Sequence, residues 1–299
     1  MDLEGIDSTV VRNTVSPHIF HVDLSKHAEM VKAVCVAYND WVYDFCSADP
    51  NRLFPEAMLP CFDMDTALKE MERNAKRGFK STCLPGSTAT GTPLSDPFWD
   101  KLFSCMEEAG WPLFIHPGFD QQVDSITAFL LSANKMKGSS ADAYTSIYLA
   151  HNFLLDNIVT LGEITLGGML DKHPKLNVAF IESGSTWQGE AIYRLDKQFH
   201  VPFVGSQVDG FHQGREVKAK TPPSELLRRQ IYFMFEGGDR SQTKEGVERM
   251  ADNLVWCSDT PHYDGDGPWE GGGCLRHVLK VDQKAERKIM GGNAAKILN

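Results

Sequence analysis

The chain of 299 residues has no long apolar run, no cluster of positive charge and no paired-cysteine motif. No stretch approaches the roughly 18 consecutive apolar residues of a membrane-spanning helix, and the N-terminus MDLEGIDSTVVRN is acidic where a secretory leader is basic then apolar. A cytoplasmic protein is the expectation. Lys and Arg total 30 against 40 Asp and Glu, a net charge of -10, and no basic run exceeds the Arg228-Arg229 pair. Nucleic acid and anionic membrane are therefore excluded as expected partners. The seven cysteines (Cys35, Cys46, Cys61, Cys83, Cys105, Cys257 and Cys274) contain no C-x-x-C. An odd, scattered set predicts reduced, mostly buried thiols rather than a disulfide framework or a structural zinc site.

Several catalytic signatures are missing as well. GSTATG at 86–91 is followed by Thr92 and Pro93 rather than Lys, so it is no phosphate loop. GSTW at 184–187 lacks the spacing of a nucleophile elbow, and His-Glu-x-x-His does not occur. His18 and His21 stand three apart, whereas side chains of a strand share a face at a spacing of two; no His-x-His exists in the chain.

What is present is a composition, 42% hydrophobic and 23% charged, that builds an ordinary globular core. Seven short apolar runs recur, at 8–15 (STVVRNTV), 57–60 (AMLP), 79–84 (FKSTCL), 112–116 (PLFIH), 177–182 (NVAFIE), 230–235 (QIYFMF) and 253–258 (NLVWCS). Segments with helical apolar spacing lie between and after them, at 28–48, 65–77, 97–110, 157–172, 187–200, 243–250 and 284–298. Alternation of this kind predicts βα units and a parallel sheet. The near-continuous hydrophobicity of VAFIE, LFIH and LVWCS predicts strands covered on both faces. We expect one domain over 1–299, an α/β (β/α)8 TIM barrel lacking its first strand, because the first run begins only a few residues after Met1. The connections at 118–146 and 201–224 are long enough to serve as lids over a site. Phe199, Phe203 and Phe211 suit either a homodimer interface or a cover for the pocket.

A barrel builds its site where strands end, and His116, Glu182, Glu236 and Asp259 each close an apolar run. His116, before Pro117, can give a ring nitrogen to a metal or shuttle protons, or simply hydrogen-bond at the rim. Asp259 can ligate a metal and take a proton from water, or cap a helix. Glu182 needs a partner, which a metal, a substrate or Arg194 on the next helix supplies. His262 is well placed beside Asp259; His151 is read as a loop or helix-start residue of packing or surface type. Trp187 is expected to pack the loop after its strand. For Glu236, followed by Gly237 and Gly238, a turn is the simpler explanation.

Four segments together, FIHPGF (114–119), LGGMLDKHPKLNVAFIESGSTW (166–187), WCSDTPHYDG (256–265) and IMGGNAAKIL (289–298), resemble the amidohydrolase-related family, whose members include aminocarboxymuconate semialdehyde decarboxylase and aromatic acid decarboxylases. The likeness runs from about Gly5 to the C-terminus. It implies His116 as a metal ligand, Asp259 as the carboxylate that binds metal or takes the water proton, and a divalent cation, zinc by expectation, acting on a small-molecule carbonyl or carboxylate substrate; Glu182 and His262 stand beside them as catalytic candidates by their position alone. In the decarboxylase branch a His stands where this chain has Glu182, so hydrolysis is the leading expectation, with decarboxylation or a non-catalytic binding barrel as alternatives. The absent His-x-His predicts weak metal binding.

Overall fold

The computed structural model describes residues 1–13, 23–86, 92–117, 141–200, 217–239, 241–262 and 265–298, with backbone alone at 141–150 and 152. Seven strands form one parallel sheet in sequence order: β1 (Thr9–Val11), β2 (Leu53–Ala57), β3 (Ser81–Pro85), β4 (Leu113–His116), β5 (Val178–Phe180), β6 (Ile231–Phe235) and β7 (Leu254–Trp256). Among the described residues β1 pairs only with β2 and β7 only with β6. The sheet curls into a half-barrel, bringing Arg12, just past β1, within electrostatic reach of Cys257, just past β7.

Helices connect successive strands. They are α1 (Leu24–Cys46), α2 (Met64–Ala75), α3 (Asp100–Ala109), α4 (Ala141–Leu166) with the short α5 (Met169–Lys172), α6 (Gln188–His200) with α7 (Pro223–Gln230), and α8 (Lys244–Met250). After β7 come α9 (Pro268–Gly273), α10 (Gln283–Arg287) and α11 (Asn293–Leu298). Asp63 starts α2 by accepting from Thr66 N at 3.1 Å, and Asp282 starts α10 by accepting from Ala285 N at 2.7 Å. Each satisfies a backbone donor that the first helical turn leaves unpaired.

The two faces of the sheet follow the period of two. Leu113 and Ile115, Val178 and Phe180, and Ile231, Phe233 and Phe235 point outward into a core shared with the helices. Cys83, Phe114, Ala179, Ile181, Tyr232 and Met234 point inward and form a second cluster, against which Val255, Cys257 and the end of α11 (Ile297 and Leu298) pack. Each fully buried Phe or Leu stabilises the fold by about 1.5–3 kcal/mol. The interior also carries charge. Arg12 donates from Nε and Nη2 to the two carboxylate oxygens of Glu56, both at 2.9 Å, and lies 4.4 Å over the Phe114 ring.

Three expectations are corrected here. Of the run at 57–60 only Ala57 lies in a strand; the chain pairs over Leu53–Ala57, and the inward Glu56 interrupts the hydrophobic pattern that would have marked it. The connection at 118–146 ends earlier than predicted, since α4 starts at Ala141 and carries the exposed His151 within it rather than at its start. The final helix is broken into three by a π-helical stretch, Lys288–Gly292, that ends in two glycines. His18, His21, Phe203, Phe211 and most of the 86–91 segment lie outside the described residues. All seven cysteines are free thiols, five of them buried. No helix among the described residues is long and apolar enough to cross a membrane.

Candidate metal centre

His116, Glu182, Asp259 and His262 come together where β4, β5 and β7 end. His116 is the last residue of β4; Glu182 lies two residues past β5 and Asp259 three past β7. Ligand atoms of Glu182, Asp259 and His262 all lie within 4.8 Å of one another. His116 joins them through Glu182, with Nε2 at 2.8 Å from Oε1. Side-chain exposure rises from 8% at His116 and 14% at Glu182 to 23% at Asp259 and 42% at His262, which sets the floor at His116 and the mouth at His262.

The backbone is bent to deliver both carboxylates. Three non-glycine residues among those described have positive φ: Glu182 at 55°, Asp259 at 50° and Lys280 at 54°. Lys280 closes a helical segment, where a left-handed residue is ordinary. Glu182 and Asp259 close no helix, and a left-handed L-residue costs about 1 kcal/mol or more. Beyond Asp259 the chain folds back, with His262 N donating to Asp259 O at 2.9 Å and Asp266 N to Ser258 O at 2.9 Å. The turn needs glycine at 265, since a Cβ there would lie 2.7 Å from the Ser258 carbonyl oxygen.

Each polar group has a definite partner. His116 Nδ1 lies 2.6 Å from the Pro117 carbonyl oxygen, so both ring nitrogens face acceptors. A neutral ring satisfies one of them and an imidazolium both. Burial works to raise the pKa of Glu182, but the hydrogen bond and charge of His116, helped by Arg12 and His262, hold the carboxyl below its ordinary range. His262 Nδ1 meets Asp259 Oδ2 at 3.0 Å. The expected alternative partner of Glu182, Arg194, instead pairs with Glu190 on the surface. Trp187 packs edge-on against Phe180 and Phe233 and donates to Gly184 O at 3.1 Å, as a packing residue of its loop.

Sequence reasoning passed over Glu236. It is more than the start of a turn: its Oε1 accepts from Gly184 N at 3.1 Å, and burial, reinforced by the charges of Asp239, Asp266 and Asp259, raises its pKa. Its place at the end of an apolar run was the available signal. Nothing local marked a contact between residues 52 positions apart.

Two carboxylates and an imidazole offer hard oxygen and borderline nitrogen donors, a set suited to a divalent cation. Metal–ligand distances near 2.0–2.2 Å place opposed ligands roughly 4.4 Å apart. The observed span of no more than 4.8 Å is close to that separation. His116 Nε2 is directed at Glu182, so ligation through it requires the two to part.

Residues 16–299 match the amidohydrolase family. The chain belongs to that family. Over 290 residues it is 24% identical to the gamma-resorcylate decarboxylase of Rhizobium sp. (strain MTP-10005), covering 87% of this chain and 74% of the relative. The fold matches an amidohydrolase from Mycobacterium avium subsp. paratuberculosis K-10 with a TM-score of 0.74 at 20% identity, over 100% of this chain and 71% of the other. It also matches a 2,6-dihydroxybenzoate decarboxylase from Rhizobium (TM-score 0.72, 18% identity, 100% and 85% coverage). A dihydroxybenzoic acid decarboxylase from Polaromonas sp. JS666, solved with bound manganese and 2-nitroresorcinol, matches with a TM-score of 0.73 at 17% identity, over 100% and 83%. An amidohydrolase half-barrel with TIM-barrel relatives is thus the fold, and manganese rather than zinc is the metal described in a relative.

Proposed function

We propose that this chain is a divalent-metal-dependent carboxy-lyase that removes CO2 from a small hydroxylated aromatic acid without an oxidant. The observation that carries this reading is the likeness to gamma-resorcylate decarboxylase across 87% of the chain. Decarboxylation thereby moves ahead of the hydrolysis expected from sequence. The strand-end cluster supports it with groups able to bind a cation and hold protons.

The net reaction cleaves one C–C bond. Its electron pair stays on the ring carbon, which takes up a proton as CO2 leaves. Glu182, Asp259 and His262 would hold the cation, which supplies positive charge for the substrate carboxylate and a neighbouring phenolic oxygen when bound. Asp259 and His262 lie at the exposed side of the site, where the ring carbon would take its proton from solvent. His116, buried beneath, holds Glu182 in place and shields that floor from water.

A second reading, hydrolysis, is favoured by one feature, the carboxylate at Glu182 where the decarboxylase branch resembled in sequence carries a His. The test presents 2,6-dihydroxybenzoate and related hydroxybenzoates to the purified full chain with manganese and follows CO2 release. Release that fails after Asp259→Asn supports the lyase. No release, together with cleavage of an ester or lactone panel, assigns hydrolysis.

A further inference from the structure

The carboxylate most deeply involved with the candidate centre, after its own members, is Glu236 at the mouth end of β6. It lies outside the three-residue cluster. Its role follows from the loop it touches.

The last ladder bond of β5 runs from Ile181 N to Ile115 O at 3.0 Å. The next residue, Glu182, turns left-handed, and Gly184 does so again at φ 62°. Such a pair does not hold itself, because each non-glycine left-handed residue relaxes to the ordinary basin once its surroundings allow. The surroundings do not allow it. From behind, Asn157 Nδ2 donates to Ile181 O at 3.0 Å and to Ser183 Oγ at 2.7 Å. From within the loop, Trp187 Nε1 donates to Gly184 O. From across the site, Glu236 accepts the Gly184 N–H.

Of these tethers the last comes from the residue that follows β6, so it ties the turn to the end of the neighbouring strand. A Cβ on Gly184 would sit 3.7 Å from Glu236 Oε2 and 4.0 Å from Asp239 Oδ2, which shows how closely the carboxylate covers that peptide. Among the described residues the backbone N of Glu182 donates to the sulfur of Met234, at 3.2 Å. A thioether is a weak acceptor and cannot hold the peptide alone.

We infer that Glu236 is a positioning residue: by accepting the Gly184 N–H it locks the left-handed turn that aims Glu182 at His116 and at the Asp259–His262 pair. It touches neither substrate nor cation and acts through Glu182. The raised pKa of Glu236 does not weaken the contact, since a protonated carboxyl still accepts at its carbonyl oxygen.

The experiment uses the full chain, metal-free, with nitrogen-15 NMR of the His116 ring and the Gly184 amide, and then manganese titration. Glu236→Gln keeps an acceptor of the same length; Glu236→Asp keeps the charge but falls short by one methylene. We expect Glu236→Gln to leave the His116 ring shifts in place, and Glu236→Asp and Glu236→Ala to move them along with the Gly184 amide. Manganese affinity should fall about 10–100-fold in the latter two, the usual effect of losing an outer-shell partner, and about threefold or less in the Gln variant. Unchanged His116 shifts in a folded Glu236→Asp variant overturn the inference, as does a Gln variant as perturbed as the Asp one. Should Glu236→Ala fail to fold, the Gln and Asp pair decides alone. The inference shares with the proposed function only the manganese titration. A chain whose His116 responds as expected but which takes up no manganese, or releases no CO2, loses that function and keeps Glu236 in its role.

Discussion

His116 Nε2 and Glu182 Oε1, from strands adjacent in the sheet but distant in the chain, meet at 2.8 Å on the floor of the site. The contact is charge-assisted and mostly buried, the condition under which a single hydrogen bond has measurable weight.

Glu182→Gln keeps the shape of the side chain and removes its charge. Hydrogen bonds to charged groups contribute about 1.5–3 kcal/mol, so urea unfolding at neutral pH should show a loss of that order, with manganese uptake falling in the same variant. An unchanged midpoint with unchanged uptake would mean the pair is incidental.

Glu56, fully buried, is matched by the bidentate Arg12. Glu56→Ala leaves a guanidinium inside the barrel without its counter-charge, and a loss of about 3–5 kcal/mol is expected. Replacing both, Arg12→Met with Glu56→Leu, should recover most of that loss. Equal destabilisation of the single and double variants in denaturant titrations would refute the pairing argument.

Two carboxylates should act on stability in opposite directions as pH changes. At Asp171 burial pushes the pKa up, but hydrogen bonds from Thr221 and from the Lys220 and Thr221 amides win and hold it low. A folded pKa below the unfolded one gives stability that is present above the unfolded value and lost as pH falls through the folded one. At Asp266 burial, with the charge of Glu270, raises the pKa. Its contribution is full below the unfolded value and lost as pH rises through the folded one. Asp171→Asn should therefore flatten the acid limb of a melting-temperature profile. Asp266→Asn can still accept from Gly237 N and Trp256 Nε1, so it should match or exceed the parent at pH 7 and lose that advantage in acid. The same profile for both variants would refute the assignment.

Gly237 has no room for a side chain. A Cβ there would lie 2.6 Å from the backbone carbonyl of Glu270 and 2.7 Å from Gly271 N. Gly237→Ala must push α9 away from the end of β6, and we expect a loss of about 1–3 kcal/mol by thermal or chemical unfolding. A variant as stable as the parent would show that α9 is not held against β6 as described.

Manganese at 100 times its Kd should raise stability by about 2.7 kcal/mol if it binds only the folded chain. The rise should vanish with chelator and in Asp259→Asn. A melting temperature indifferent to manganese in the parent would remove the metal from the site.

The strands whose both faces are apolar were readable from sequence, since LFIH, NVAFIE and IYFMF lie on β4, β5 and β6 to within a residue or two. β2 was not, because its inward Glu56 serves a partner on β1 and so writes no hydrophobic period. The strand-end rule brought His116, Glu182 and Asp259 to notice one by one. Their mutual contacts were invisible because they join different βα units, and so Arg194, near in sequence, stood in for His116. Glu236 was set aside for the same reason: its partner is the backbone of Gly184, and a peptide N–H has no letter in the sequence.

Glu182 and Asp259 stand at the two places among the described residues where a side chain occupies left-handed backbone without ending a helix. Glycine would rest there with no such penalty, so roughly 1 kcal/mol at each position is the stability forgone in presenting a carboxylate. Glycine at 182 would relieve that backbone but give up the buried contact with His116, which is worth more, so the hydrogen bond that orients the carboxylate also protects it from replacement.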